Sequence, residues 1–102
     1  MRNPEDFGLE TIGTIDLSEG SYDFHVVAVF KESRGRYWIG RDSGCSCSYP
    51  FEFVEEINQL DGPHNKDNLR KRLDYIGREL RGRYVSLAEY RREAISILSR
   101  LT

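Results

Sequence analysis

The stretch Tyr22–Lys31 constrains this chain more than any other. Tyr22, Phe24, Val26, Ala28 and Phe30 alternate with Asp23, His25, Val27, Val29 and Lys31. A period of two belongs to a β-strand, which sends successive side chains to opposite faces. The second set begins polar and turns apolar, so the strand is expected to be covered on both sides around Val27 and Val29. Glu32-Ser33-Arg34-Gly35 reads as a turn, with Gly able to take a positive φ, and Arg36–Arg41 as the returning partner. The pair predicts an antiparallel hairpin held by aromatic and β-branched cross-strand contacts of roughly 0.2–1 kcal/mol each.

The rest is read around that hairpin. Residues 1–10 are expected to form a loose N-terminal arm. Thr11–Leu17 reads as a short strand in which Gly13 marks a bulge or an edge, and Ser18–Ser21 as a turn. Phe53–Leu60 predicts a short helix stopped by Asp61-Gly62-Pro63. Leu69, Leu73, Ile76 and Leu80 recur at helical spacing, with Asn65 or Asp67 as N-cap and Gly82 as C-terminal stop. Gly77 inside that helix costs about 1 kcal/mol against Ala, which a close approach to the sheet would explain. Ser86-Leu87-Ala88-Glu89 is a capping box opening a last helix with Leu87, Tyr90, Ala94, Ile97, Leu98 and Leu101 inward. Only Arg83-Tyr84-Val85 separates the two helices, so they should form an antiparallel hairpin. Strands followed by helices predict an α+β fold: a small antiparallel sheet around a central hairpin, with two or three helices, the C-terminal two packed on the sheet. Residues 1–102 are read as a single domain. The expected core is Val26, Ala28, Phe30, Ile39, Leu69, Leu73, Ile76, Leu80, Tyr90, Ala94 and Leu98.

Composition limits what such a domain can be. Counted with Gly in place of Tyr, apolar residues make up about 41% of the chain, under the roughly 45–50% of ordinary domains. The core is thin, and six Tyr, five Phe and one Trp supply much of its bulk. No run approaches a membrane span, and the polar, acidic first ten residues carry no secretory signal. The net charge of −2 hides a division. Residues 1–63 hold 5 basic and 12 acidic side chains, and residues 64–102 hold 10 and 5. Either the halves neutralise one another across the fold, or each faces a charged partner. Arg70, Arg78 and Arg81 fall on the outer side of the first long helix, where Asp74 can pair with Arg70 and Arg78.

The distinctive run is Asp42-Ser43-Gly44-Cys45-Ser46-Cys47-Ser48-Tyr49-Pro50-Phe51-Glu52, which contains both cysteines. Three chemistries compete for it. Cys45 and Cys47 with His25 and His64 make the minimum ligand set for zinc, although C-x-C is not the usual knuckle spacing and His25 lies within a strand. A disulfide two residues apart would be strained and easily reduced. The third reading is structural, with small thiols packing a tight turn. Asp42 and Ser43 are expected to tie the turn to local backbone N–H groups, Glu52 to sit in the first turn of a helix after Pro50, and Gly44 to take a conformation that a residue with a Cβ resists. His25 reads as a half-buried strand residue and His64 as a solvated turn residue. No third partner completes a catalytic set, so no catalytic residue, metal or other cofactor is expected.

At this run the chain resembles small proteins of actinobacteria and their bacteriophages that carry D-S-G-C-S-C-x-x-P-F-E after a similar strand pair. The likeness covers about residues 20–60, and Ser48 stands where those proteins often have Pro. The resemblance brings no assigned activity. It implies a phage protein working in the reducing host cytoplasm, where both thiols stay reduced. The functional expectation is a non-enzymatic protein–protein interaction module aimed at a host or phage protein. The alternatives are a metal- or thiol-dependent protein using Cys45 and Cys47, and nucleic-acid binding through the basic C-terminal helices. A pI near 5.7 argues against that last footprint. No membrane partner is expected, and the oligomeric state is not legible in the sequence.

Overall fold

In the computed structural model the hairpin is the middle of a four-stranded antiparallel meander. Residues 1, 3–17, 23–45, 49–80 and 87–101 are described, apart from the side chains of Asp23, Cys45 and Leu87. The strands are β1 (Leu9–Asp16), β2 (Asp23–Glu32), β3 (Tyr37–Cys45) and β4 (Asp61–His64), in spatial order β1-β2-β3-β4. Two helices follow, α1 (Lys66–Leu80) and α2 (Leu87–Ser99), and short 3-10 turns cover Pro4–Phe7 and Ile57–Gln59. The fold is α+β. Among the described residues, no helix is long and apolar enough to cross a membrane.

β2 is covered on both faces, and so the described residues form two apolar clusters. Val27, Val29, Tyr37 and Ile39 join Ile15 and Leu17 against Leu69, Leu73, Ile76, Leu80, Tyr90, Ala94 and Ile97 of the helices. On the far face Val26, Ala28, Phe30 and Trp38 meet Met1, Leu9, Phe51 and Leu60. Of the core expected from sequence, Val26, Ala28 and Phe30 therefore belong to the face away from the helices. Leu98 is only partly buried, at the rim of the helix-side cluster.

A bulge explains how β1 serves both clusters. Its pairing to β2 shifts between Thr11 and Gly13, which moves the alternation on by one residue. Leu9 thus reaches the far-face cluster, while Ile15 and Leu17 reach the helices. Gly13 is needed there for a second reason: a Cβ on it would lie 2.6 Å from Cγ1 of Ile97. α1 begins at Asn65, whose Oδ1 accepts the Asn68 N–H at 2.8 Å. The Tyr90 hydroxyl donates to the Leu73 carbonyl at 2.7 Å and ties α2 to α1. Gly77 is buried within α1. The expected Gly82 stop, the Ser86 cap and the Arg83–Val85 connection lie outside the described residues.

Four expectations are corrected. Residues 1–10 are no loose arm: Met1 is buried, and its α-amino group donates to the Phe51 carbonyl at 2.8 Å and to the Val54 carbonyl. Residues 42–45 do not form the expected turn after Arg41 but continue β3 to the Asp23↔Cys45 pair. The helix expected over Phe53–Leu60 shrinks to the 3-10 turn Ile57–Gln59, because Gln59 folds back and its Oε1 accepts the Glu56 N–H at 2.8 Å. Asp61-Gly62-Pro63, expected only as a stop, forms most of β4. Gly62 lies so close under the Trp38 ring that a Cβ would meet Cε3 at 2.8 Å.

Candidate functional site

The site is built outward from the end of β3. Asp42 faces away from the helices, where its two carboxylate oxygens accept backbone N–H groups. Oδ1 takes that of Ser43 at 2.9 Å, and Oδ2 takes that of Phe51 at 2.7 Å. The second bond joins residues nine apart and seats the Tyr49–Val54 turn on the sheet. That turn is closed by Glu52 N–H to the Tyr49 carbonyl at 3.2 Å and Val54 N–H to the Phe51 carbonyl at 3.1 Å. Phe51 has φ 65°, a left-handed conformation costing a residue with a Cβ roughly 1–2 kcal/mol. Burial of its ring offsets that cost. The ring meets Phe30 edge-on with centroids 5.8 Å apart and lies over Gly40, where a Cβ would come within 2.7 Å of it.

Because the turn is fixed, the next residue but one, Phe53, points into water. Phe53 is 80% exposed. It stands over a cleft of about 370 Å³ whose walls include Arg41, Asp42, Gln59, Asp61 and Arg72. Arg72 Nε donates to Asp61 Oδ2 at 2.6 Å, and its guanidinium lies 5.0 Å from the centre of the Tyr75 ring, which is itself half exposed. Arg41 donates to Glu79 Oε2 at 2.8 Å. Hydrogen bonding from Arg41, with a further one from Tyr75, holds the Glu79 carboxyl below its usual range, and the bond to Asp61 raises Arg72. A rigid, half-satisfied set of Phe, Tyr and Arg results, which is the composition of residues that carry binding energy at protein interfaces.

The charge division is in part spent inside this fold. Asp61 of the acidic half meets Arg72 of the basic half, while Arg41 and Glu79, each a minority charge in its own half, also pair. On the outer face of α1, Arg78 pairs with Asp74 at 2.9 Å.

Of the residues singled out from sequence, Asp42 and Phe51 line this cleft, while Pro50 and Glu52 lie in the adjoining turn. Ser43 and Gly44 lie at the end of β3, where Gly44 pairs with Phe24 in the ladder. Among the described residues of the run the left-handed one is Phe51, not Gly44, and Glu52 lies in a turn rather than a helix. Cys47 and the side chain of Cys45 lie outside the described residues. His25 and His64 are not brought together. His25 pairs with Ser43 and His64 with Tyr37, at opposite ends of β3, about 20 Å apart at strand rise. The two histidines therefore do not share one ion, and the four-ligand zinc set does not assemble. Among the described residues, no group of three or more His, Cys, Asp or Glu side chains could hold a metal. His25 is half-buried, and burial, helped by the charge of Arg41, lowers its pKa. His64 is also partly buried rather than solvated, its Nε2 lying 3.2 Å from Asp61 Oδ1.

Sequence reading missed Phe53, Asp61, Arg72 and Tyr75 as site residues. One signal existed: Tyr75 falls off the Leu69–Leu80 stripe, so an aromatic had to face outward on α1. Phe53 gave none, because its exposure depends on the turn that Phe51 sets.

The model of a family described as a domain of unknown function, DUF7574, matches residues 1–101. No curated protein and no solved structure shows a significant match.

Proposed function

We propose that this chain, which belongs to the DUF7574 family, is a non-enzymatic protein-interaction module whose binding face is centred on Phe53, Arg72 and Tyr75. The observation that carries this reading is Phe53, 80% exposed on a turn whose backbone is anchored by Asp42. A large apolar ring held in water without freedom to fold away contributes area to a complex at little ordering cost. Arg72, which lines the same cleft as Phe53, already lies over the Tyr75 ring, so this pair too loses little on binding. The setting we propose is a phage-encoded protein meeting a host or phage protein in the host cytoplasm. It rests on the resemblance of the Asp42–Glu52 run.

The test is site-specific photo-crosslinking. A photoreactive residue replaces Phe53 in one protein and Ile95, 65% exposed on α2, in another. The reading predicts a discrete adduct through position 53 and not 95. Once purified, that partner should bind Arg72→Ala and Tyr75→Ala at least roughly tenfold more weakly than the parent. Equal labelling from both positions, or a partner indifferent to Phe53→Ala, would contradict it.

A further inference from the structure

Charge is unevenly spread around the Phe53 face, and the unevenness says what kind of side chain it receives. From Asp42 to Asn65 the chain contains no Lys or Arg, yet it holds Asp42, Glu52, Glu55, Glu56 and Asp61. The charges on the cleft walls are already spent. Arg72 holds Asp61, Arg41 holds Glu79, and both Asp42 oxygens accept backbone N–H groups. The turn is different. Glu55 and Glu56 are exposed, and their backbone N–H groups donate to Gln59 Oε1 at 2.6 and 2.8 Å. Gln59 is itself a wall of the cleft, so both carboxylates are carried at its rim, close after Phe53 in the chain. Among the described residues, Glu52, Glu55 and Glu56 form no ion pair.

The bases that could answer them do not suffice. The Met1 ammonium is buried and donates to the Phe51 and Val54 carbonyls, and Arg2 follows it in the sequence. With these and the two cleft arginines, four positive groups stand against six carboxylates, Glu79 included, a balance of −2. The Tyr75 end differs: Lys71 and Arg78 lie one turn to either side of it on α1, with Arg78 held by Asp74. The negative end of the face is therefore the Phe53 end.

We propose, resting on the reading of Phe53 as the centre of a binding face, that the partner protein presents there an arginine or lysine beside an apolar residue. Its cation lies on the Phe53 ring and faces the Glu55 and Glu56 carboxylates. An aromatic face attracts a cation through its quadrupole, and the apolar stem of Arg or Lys covers exposed ring surface. The apolar neighbour suits the cleft, whose walls include Ile39, Phe51 and Leu60. An acidic partner, or the phosphates of a nucleic acid or lipid surface, would meet its own sign of charge. A second copy is the poorer occupant, because Arg78 and Arg91 of its helices already face Asp74.

The test titrates three capped six-residue peptides into the full chain at low salt, followed by NMR of the Phe53 ring and the Glu55 and Glu56 amides. Each has a glycine at both ends, two leucines and two copies of one variable residue: arginine, glutamate or citrulline, the uncharged likeness of arginine. The arginine peptide should shift all three sets of signals and bind roughly fivefold more tightly than the citrulline peptide, an advantage that added salt removes. Phe53→Leu, which stays apolar but loses the ring, should weaken it several-fold, as should Glu55→Gln combined with Glu56→Gln. The glutamine at 56 keeps a side-chain oxygen to cap the Ile57–Gln59 turn. An arginine peptide that leaves Phe53 unmoved, or citrulline or glutamate peptides that bind as well, would overturn the proposal, and these outcomes need no altered protein. Phe53 shifts that follow protein concentration alone would overturn it too, by giving the face to a second copy. Crosslinking keeps the two readings apart. A discrete adduct through position 53 alongside a failed arginine peptide removes the cation preference and leaves the binding face. Equal labelling from positions 53 and 95 removes the face, and the proposal with it.

Discussion

Gly40 and Phe51 are tightly coupled, and the contact can be tested one atom group at a time. A Cβ on Gly40 would come within 2.7 Å of the Phe51 ring and 3.2 Å of Leu60. Both neighbours are buried and must shift to admit the new methyl group, so Gly40→Ala should cost about 1–3 kcal/mol in urea unfolding. Asp42→Ala removes the acceptor of the Phe51 N–H and should cost about 1–2 kcal/mol, with Asp42→Asn recovering part of it. His25 gives a pH signature. Its pKa is lowered in the folded state by burial and by Arg41, opposed by Asp42. The unfolded chain therefore binds the proton first, near pH 6.5, and stability should fall as pH drops from that value through the lowered folded pKa. His25→Gln should flatten the stability profile across that window; an unchanged slope would show that the ring titrates normally in the folded protein.

Elements were legible in proportion to how local their causes are. The β2–β3 hairpin and α1 follow from periodicity within each stretch, and the Gly13 bulge from one residue. Asn65 capping is local in the same way, and Asn65→Ala should cost about 1 kcal/mol by thermal unfolding. β4 was not legible, because Asp61-Gly62-Pro63 carries turn chemistry. It becomes a strand only by pairing with β3, where Gly62 fits beneath Trp38. The same holds for the site. Asp42 was readable as a residue that binds nearby backbone, but its decisive bond reaches Phe51 across a turn. Phe53 was misread as helical because spacing alone does not show that Phe51 takes a left-handed φ. The tie between the helices offers a check at this scale. Tyr90 is buried, which pushes its hydroxyl pKa up, and it donates to the Leu73 carbonyl. Tyr90→Phe should lower stability by about 1 kcal/mol while leaving helix content unchanged by circular dichroism.

For the whole molecule, the sheet works as a partition. One face is committed to the helices, and their packing supplies the larger apolar cluster. The other face carries Met1, Leu9, Phe51 and Leu60, a thin cover made of turns. The proposed binding face grows out of that cover, and so function and local stability are linked there: what seats Phe51 also displays Phe53. The most direct measurement is NMR of the full chain with the Phe51 and Phe53 rings selectively labelled, in the parent and in Asp42→Ala. The account predicts nuclear Overhauser contacts from the Phe51 ring to the Gly40 α-protons and to Phe30, together with strong broadening of the Phe53 ring by a soluble paramagnetic agent. Asp42→Ala should weaken the Phe51 contacts and leave those between the helices and Val27 or Val29 intact. A Phe53 ring shielded from the agent, or Phe51 contacts unaffected by loss of Asp42, would contradict it.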